Sequence, residues 1–343
     1  MQPHARNWLF ILLVTFLGLA LLALIIVGNV FIDLERIPWI LLVPMATIFA
    51  LAHSWFALGL PRALSLFACS VFIGFGFELV GSTTGWVFGP YCYTAMLGYP
   101  IAGEVPWLIP LSWYMMAYPS YLIANLLATG TPVAAHARSK RLVIVIAILG
   151  AGLMTAWDIT MDPIMSYEPA TPVAATSGWL GAASTVGHPA WRWTTEVVPH
   201  DMCLSGQRLP DNQPHAFFGI PWRNFSGWML TSFVVMLVYG MIERRFPPPR
   251  RALSATPKYV PKRLHSWVRA DLVERAYWLM PLAFFLTLAI IDSFLGPQTI
   301  DDVHLIAPFI MGIPAAAAAL LVFHRHTAHE AEPLFHNPPD DDG

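Results

Sequence analysis

The stretch from Arg62 to Tyr93 reads RALSLFACSVFIGFGFELVGSTTGWVFGPYCY. It begins with a basic residue, continues as an apolar run, meets one carboxylate at Glu78, and then breaks into glycines, threonines and aromatic residues. A hydrocarbon core about 30 Å thick is crossed by roughly 20 residues of helix. The stretch therefore predicts a membrane-spanning helix with an ionisable group near one end. Such a group is costly at that depth, which makes it a candidate for function.

The composition of the whole chain supports a membrane protein. Of its 343 residues, 56% are hydrophobic and 12% are charged, and the mean hydropathy is +0.57. These values are typical of chains that fold in lipid, and a net charge of -2 without a basic patch gives no sign of nucleic-acid binding. We predict an all-α, polytopic bundle of about eight transmembrane helices. The apolar segments are 8–32, 37–60, 63–80, 105–128, 142–159, 224–242, 276–294 and 305–323.

The positions of lysine and arginine predict the orientation, because cytoplasmic loops hold the excess of these residues. With eight spans and the N-terminus inside, only Arg36, Arg192, Arg208 and Arg223 of the 19 basic residues fall outside. Both termini are then cytoplasmic, and the protein is a multi-pass protein of the cell membrane. We expect one domain, 1–330, with outer loops 81–104 and 160–223 and a basic cytoplasmic loop 243–275. An acidic tail, 331–343, is expected to be disordered.

Three acids fall at one depth in this topology. The third, fifth and seventh spans each begin after an arginine and meet an acid 16 or 17 residues later, at Glu78, Asp158 and Asp292. At 1.5 Å per residue each acid lies about 25 Å from the cytoplasmic boundary. Acids at this position are either interfacial caps or functional groups, and we favour function for Glu78 and Asp158.

The residues around these acids favour a lined pocket. Asp162 follows Asp158 by one helical turn, which places both on one face if the segment is helical, although Pro163 favours an extended conformation at Asp162. Aromatic rings are common at membrane interfaces, but here they alternate with carboxylates, Asn224 and glycine turns. The candidate lining side chains are Trp86, Tyr91, Tyr93, Trp113, Trp157, Trp193, Asn224 and Trp228.

The three cysteines divide into two groups. Cys69 falls inside the third span, where it is expected to pack as a small apolar side chain. Cys92 and Cys203 both fall on the predicted outer side, where an oxidising compartment would allow a disulfide. The pairing stays open at this point.

The chemistry of such a pocket suits the hydration of an alkene. The sequence contains no P-loop, Rossmann fingerprint, HExxH or GxSxG motif. A carboxyl group in an apolar site tends to keep its proton at neutral pH and can act as a general acid. Aromatic faces stabilise the resulting cation, and a second carboxylate can hold the attacking water. This chemistry requires neither a cofactor nor a metal.

A set of short motifs between about Phe72 and Trp228 resembles the integral-membrane carotenoid biosynthesis family of CruF-type hydratases. The motifs include Glu78, the pair Asp158 and Asp162, and the Trp191-x-Trp193 element. The other matching residues are Gly81, Thr84-Gly85, Phe88-Gly89, Tyr91, Tyr93, Gly98, Ile101, Val105-Pro106, Trp113, Pro163, Phe218-Gly219-Ile220-Pro221, Asn224-Phe225 and Trp228. One departure is the segment 194–216, which separates two elements that lie close together in the family pattern.

The resemblance implies a carotenoid 1,2-hydratase, a hydro-lyase that adds water to the terminal C1=C2 bond of an acyclic (psi) end group. Substrates in that family include gamma-carotene, lycopene-type carotenoids and bisanhydrobacterioruberin. We expect Glu78 or Asp158 to protonate C2 and the other to position water, with Asp162 and Asn224 hydrogen-bonded to that pair.

Two rival functions stay open. The Asp158 to Asp162 segment is a DxxxD of the kind that binds magnesium diphosphate in intramembrane prenyltransferases, although no second aspartate-rich motif is present. A lipid or ion transporter would also place acids within the membrane, but the sequence shows no inverted repeat.

Overall fold

The computed structural model describes residues 12–23, 39–133, 139–166, 189–199, 202–203, 217–246, 270–295 and 306–331. Within these ranges the side chains at 39–40, 270–274, 288–295 and 324–331 are not described. The described chain is mainly helical with a few very short strands, so the predicted all-α class is confirmed.

Each predicted apolar segment overlaps a helix. The helices are α1 Leu12–Ala23, α2 Trp39–Leu58, α3 Leu60–Thr84, α4 Leu108–Thr129, α5 Lys140–Met165, α6 Trp222–Glu243, α7 Ala270–Leu295 and α8 Ile313–Ala331. A π-turn at Cys69–Ile73 lies within α3, and a second at Pro308–Gly312 precedes α8.

Among the described residues, four helices are long and apolar enough to cross a membrane, namely Leu41–Leu58, Leu60–Thr84, Lys140–Met165 and Trp222–Glu243. Leu12–Ala23 and Pro308–Phe323 are shorter apolar helices. The chain is therefore a membrane protein by the length and composition of its helices. The count of eight spans and the cytoplasmic location of both termini stay predictions.

Helix α4 forms the centre of the bundle. It contacts α2, α5, α7, α8 and the π-turn of α3, and nearly all of its side chains from Leu108 to Leu126 are buried. Its polar groups bond to other helices: the Tyr114 hydroxyl lies 2.6 Å from Ser54 Oγ, and the Tyr118 hydroxyl lies 2.6 Å from His53 Nδ1. A helix can carry such polar groups at membrane depth when other helices satisfy them.

The segment between α3 and α4 turns back over the end of the bundle. Helix α3 ends at Thr84, and the next residue, Gly85, has a φ of 68°, the left-handed conformation common after helix C-termini. Strand β1 (Tyr91–Tyr93) follows, and then β2 (Pro100–Ile101) and β3 (Val105–Pro106) form a small hairpin. Strand β4 (Trp191–Trp193) pairs with β1 in an antiparallel ribbon.

The structure corrects one local expectation. Pro163 does not make Asp162 extended, because α5 continues through both residues to Met165. The lost backbone donor falls in the last turn, and side-chain hydrogen bonds described below hold Asp162 in place. The side chain of Asp292, residues 332–343 of the predicted tail 331–343, and most of the loops 160–223 and 243–275 lie outside the described residues.

Candidate active site

Glu78 is the first carboxylate of the site, and its side chain is buried near the end of α3. Its Oε2 atom accepts hydrogen bonds from the hydroxyls of Tyr91 at 2.6 Å and Tyr93 at 2.7 Å. Its Oε1 atom accepts one from Trp113 Nε1 at 3.0 Å. An indole N–H can only donate. Both oxygens of Glu78 therefore act as acceptors, the role that suits a carboxylate.

Asp158 and Asp162 share one amide donor. The Nδ2 atom of Asn224 donates to Asp158 Oδ2 at 2.7 Å and to Asp162 Oδ2 at 2.6 Å. The two aspartates therefore lie on the same face of α5, as the spacing of four residues predicts for a helix. All three side chains are buried.

Asp162 receives two further donors. Its Oδ1 atom accepts hydrogen bonds from Trp191 Nε1 at 2.7 Å and from Trp193 Nε1 at 3.0 Å. With the Asn224 amide on its other oxygen, Asp162 accepts three N–H donors. Among the described residues, by contrast, Asn224 is the one side chain that hydrogen-bonds Asp158. Asp158 is thus the carboxyl of this group with an oxygen left for a ligand or a proton.

The ribbon of β1 and β4 supplies most of these donors. Side chains alternate along a strand, so the first and third residues of each strand share a face. The register places the two tyrosines of β1 opposite the two tryptophans of β4, and Cys92 opposite Arg192 on the other face. The tyrosines donate to Glu78 and the tryptophans donate to Asp162. One ribbon therefore fixes acids that come from two different helices.

The two tyrosines of β1 are neutral donors. Burial, followed by the nearby charge of Glu78, raises the pKa of Tyr91 well above its usual value of about 10. The same two causes raise the pKa of Tyr93. Both hydroxyls therefore keep their protons at physiological pH and remain able to donate to Glu78.

Stacked tryptophans form a wall beside the acids. The rings of Trp113 and Trp228 stack with centroids 4.3 Å apart and an interplanar angle of 20°. The ring of Trp157 tilts against Trp228 at 5.7 Å. The wall brings together rings from α4, α5 and α6, so its geometry depends on the packing of all three helices.

These groups enclose a cavity of about 70 Å³. A single buried water needs roughly 10–15 Å³, so the space suits a few waters or one end of a long molecule. The sequence-predicted residues that line it are Glu78, Tyr91, Tyr93, Trp113, Trp157, Asp158, Asp162, Trp193, Asn224 and Trp228.

Trp86 is the predicted lining residue that does not line the cavity. It directly follows Gly85, where the chain leaves α3, and its side chain is 80% exposed. Its ring therefore lies on the surface of the protein. Aromatic rings at the ends of membrane helices commonly occupy the lipid–water interface.

Sequence reasoning missed several lining residues. Trp191 lines the cavity and binds Asp162, and the alternation in the Trp-Arg-Trp motif was a signal that both indoles share a face. The apolar part of the lining includes Val43, Phe88, Leu97, Leu108, Ile109, Met115, Met161 and Met165. These residues belong to ordinary apolar runs, so no sequence signal separated them from general packing.

The face of the ribbon away from the cavity is tied to a distant segment. Cys92 forms a disulfide with Cys203, and their Cα atoms are 6.1 Å apart. Cys69 is free and buried within α3. Most of the segment 194–216 lies outside the described residues, but Cys203 fixes one point of it against the ribbon.

In the part of the chain that the structure describes, no group of three or more His, Cys, Asp or Glu side chains has an arrangement that could hold a metal ion. The oxygens of Asp162 already accept three N–H donors. These bonds leave Asp162 poorly placed to act as a ligand of a divalent cation.

Comparison with known proteins identifies a family whose model matches this chain. The model of a family described as "Carotenoid biosynthesis protein" matches residues 38–170 and 182–294, which is well over half of the chain. A bisanhydrobacterioruberin hydratase of Haloarcula japonica is 24% identical over 176 residues, covering 51% of this chain and 44% of that protein. This chain thus matches less than half the length of that relative. No solved structure matches the chain.

The family match covers every element that contributes a carboxylate, an amide or a ring to the cavity. The chain belongs to the carotenoid biosynthesis protein family.

Proposed function

We propose that this protein is a carotenoid hydratase, a hydro-lyase that adds water to the terminal C1=C2 double bond of an acyclic end group. The observation that carries the proposal is the convergence of three buried carboxyl groups on one aromatic cavity, with Asp158 the one short of donors. The family membership and the hydratase relative support the same substrate class.

In this proposal Asp158 is the general acid. Two carboxylates that share one amide donor in a buried site repel each other when both are ionised, so one of the pair favours its protonated form. Asp162, with three N–H donors, is the better stabilised anion. The proton then resides on Asp158, from which it passes to C2 of the alkene.

The tryptophan wall would stabilise the intermediate. Protonation at C2 leaves a tertiary cation at C1, and the faces of Trp113, Trp157 and Trp228 lie beside the acids. Each desolvated ring contributes about 2 kcal/mol to a nearby cation. The negative charges of Glu78 and Asp162 add to this stabilisation.

Glu78 would hold the water that attacks C1. Water that has added to a tertiary cation is strongly acidic, so a carboxylate with three donors can still take its proton. Glu78 then carries a proton and Asp158 lacks one, so a proton has to pass from Glu78 to Asp158, directly or through water in the cavity, before the next turnover. The net change is the addition of H at C2 and OH at C1. The product is a 1-hydroxy carotenoid.

The size and lining of the cavity support an end-group reaction. A space of about 70 Å³ cannot enclose a whole carotenoid, so only the terminal unit enters. The apolar lining from α4 and α5 suits the polyene behind it. The substrates proposed are gamma-carotene, lycopene-type carotenoids and bisanhydrobacterioruberin-like compounds.

The test is to express the protein in cells that accumulate lycopene or gamma-carotene and to analyse the carotenoids by mass spectrometry. We expect the wild type to give a product heavier by one water. Glu78→Gln and Asp158→Asn should each reduce this product by about a hundredfold or more, with the amount of folded protein unchanged. Glu196→Gln, at an exposed acid, is the matched control. Full activity in the Asp158→Asn variant would remove Asp158 from the mechanism.

Assays with the purified protein separate the rival functions. A prenyltransferase would need magnesium and a diphosphate substrate, and a transporter would move its ligand unchanged across proteoliposomes. Hydration needs only the carotenoid and water.

A further inference from the structure

Five buried polar side chains, here called the column, lie on the helices that also carry the site residues Glu78, Trp113 and Asn224. It is made of residues on α3, α4 and α6, and all of its members have 0% exposed surface. The members are Ser70, Ser120, Asn125, Thr231 and Ser232. None of them belongs to the proposed catalytic group.

These side chains share an unusual feature. Within the described part of the chain, the four hydroxyls and the Asn125 Oδ1 atom have no hydrogen-bond partner. Serine and threonine in helices often donate to a carbonyl of the preceding turn, and here they do not. A buried polar atom without a partner is costly, and an ordered water is the usual explanation for one in a native protein.

The helical spacing places the column below the site. Ser120 follows Trp113 by seven residues on α4, and Thr231 follows Asn224 by seven residues on α6. Seven residues make about two turns, or about 10 Å. Each hydroxyl therefore lies on the same helix face as a residue of the cavity, two turns deeper in the bundle.

The π-turn of α3 completes the arrangement. Ser70 precedes Glu78 by eight residues, and the extra residue of the π-turn makes this close to two turns. Ser70 therefore faces the same side of α3 as Glu78. The π-turn packs against both α4 and α6, an arrangement that would bring the hydroxyls of the three helices together.

The column has a polar group at each end. At the end away from the ribbon, the Tyr121 hydroxyl donates to Glu243 Oε1 at 2.8 Å, and Arg62 Nε lies 4.0 Å from the same oxygen. At the cavity, the buried Trp157 Nε1 has no hydrogen-bond partner in the described residues. Trp157 contacts Trp228, which lies one turn from Ser232.

We propose that the column binds a chain of internal water molecules between the Glu243 cluster and the cavity. An internal water makes about three hydrogen bonds, and the unpaired atoms of three helices supply acceptors and donors for several. The same waters give a path by which water or protons reach the cavity through the protein.

The role of this path rests on the proposed function, because hydration consumes one water in each turnover. The ribbon covers one side of the cavity and much of the lining is apolar, so water delivered to the acids from another side would serve the reaction. The column offers that supply from the opposite end of the bundle. Whether the column binds water can be measured without assaying the hydratase reaction.

Close packing is the competing explanation, since small residues such as serine let membrane helices approach each other. Thr231→Val distinguishes dry close packing from bound water, because valine has the shape of threonine without the hydroxyl. In a dry site, removal of an unpaired hydroxyl leaves the melting temperature of the purified protein unchanged or raises it. With bound water the variant should melt about 2 °C lower or more. Thr83→Val, at an exposed threonine of α3, is the control.

A high-resolution experimental structure gives the direct test. We expect ordered waters within hydrogen-bond distance of the Ser70, Ser120 and Ser232 hydroxyls. A dry layer at these residues, or a Thr231→Val variant with an unchanged or raised melting temperature, would overturn the water chain.

The supply role has its own test. The triple variant Ser120→Ala, Thr231→Val, Ser232→Ala should lower kcat several-fold and leave KM for the carotenoid unchanged. An unchanged kcat would overturn the supply role even if waters are present. A wild-type protein without hydratase activity would instead overturn the proposed function, and the melting and density results would still decide the water chain.

Discussion

The three acids of the site differ in the number of side-chain hydrogen bonds that they accept, and not in their depth in the bundle. Glu78 and Asp162 each accept three side-chain donors, whereas Asp158 accepts the Asn224 amide. The spacing of Asp158 and Asp162 predicted that they share a face. Their different environments could not be predicted, because the donors come from strands that pair across a long stretch of sequence.

The tyrosines of β1 allow a test of how Glu78 is held. Tyr93→Phe removes one hydrogen bond to a charged group, worth about 1.5–3 kcal/mol, so hydratase activity should fall by about tenfold or more. Burial raises the pKa of Tyr93 well above 10 in the folded protein. The hydrogen bond from its hydroxyl to Glu78 is therefore fully present below pH 10, and it is lost only when the pH rises through the raised pKa. The ratio of wild-type to variant activity should therefore be constant between about pH 6 and 9.

Activity measured across this pH range checks the prediction. Tyr99→Phe, at a tyrosine that is 81% exposed, is the control and should behave as wild type. A ratio that falls toward one as the pH approaches 9 would show that Tyr93 ionises in the ordinary range.

The helices and the ribbon position the active-site side chains through contacts that only partly could be predicted from the sequence. The sequence predicted α3 and α5 well, since 63–80 and 142–159 lie within Leu60–Thr84 and Lys140–Met165. It could not predict that α4 is central, because a helix buried in protein and a helix in lipid show similar apolar patterns. The ribbon was missed for a related reason: three-residue strands are too short to give a periodic signal.

Alanine substitutions at two glycines of α3 distinguish the effect of side-chain packing on stability from the effect of helix propensity. A Cβ atom at Gly74 would lie 2.6 Å from Trp113 Cγ, whereas one at Gly76 would meet nothing within 4 Å. Gly74→Ala should displace the Trp113 ring, weaken its bond to Glu78, and destabilise the protein by about 1–3 kcal/mol. Gly76→Ala should be neutral or stabilising, because alanine is the better helix former.

Thermal unfolding and product yield of the two variants give the comparison. Activity should fall in Gly74→Ala and persist in Gly76→Ala. Equal behaviour of the two variants would mean that the position of Trp113 does not depend on this contact.

The ribbon, the disulfide and the cavity lie together at one end of the bundle. The distribution of basic residues predicts that this end is the outer one, and a disulfide is expected in an oxidising compartment. The site would then open near the outer leaflet. The polyene, about as long as the bilayer is thick, could extend from there into the lipid.

Reporter fusions test this orientation in a bacterial host. Alkaline phosphatase, which is active only outside the cytoplasm, should be active when fused after residue 205 and inactive when fused after residue 330. A fluorescent protein fused after residue 330 should be fluorescent. The reverse pattern would place the ribbon on the cytoplasmic side.

Reaction of the purified protein with an acyclic-end carotenoid in heavy water tests whether a carboxyl group starts the hydration by protonating the alkene. Protonation of the alkene by a carboxyl group that exchanges with solvent predicts one carbon-bound deuterium at C2 and a hydroxyl at C1 in each hydrated end. A hydroxylated product without deuterium on carbon would contradict proton transfer from Asp158 as the step that starts the reaction.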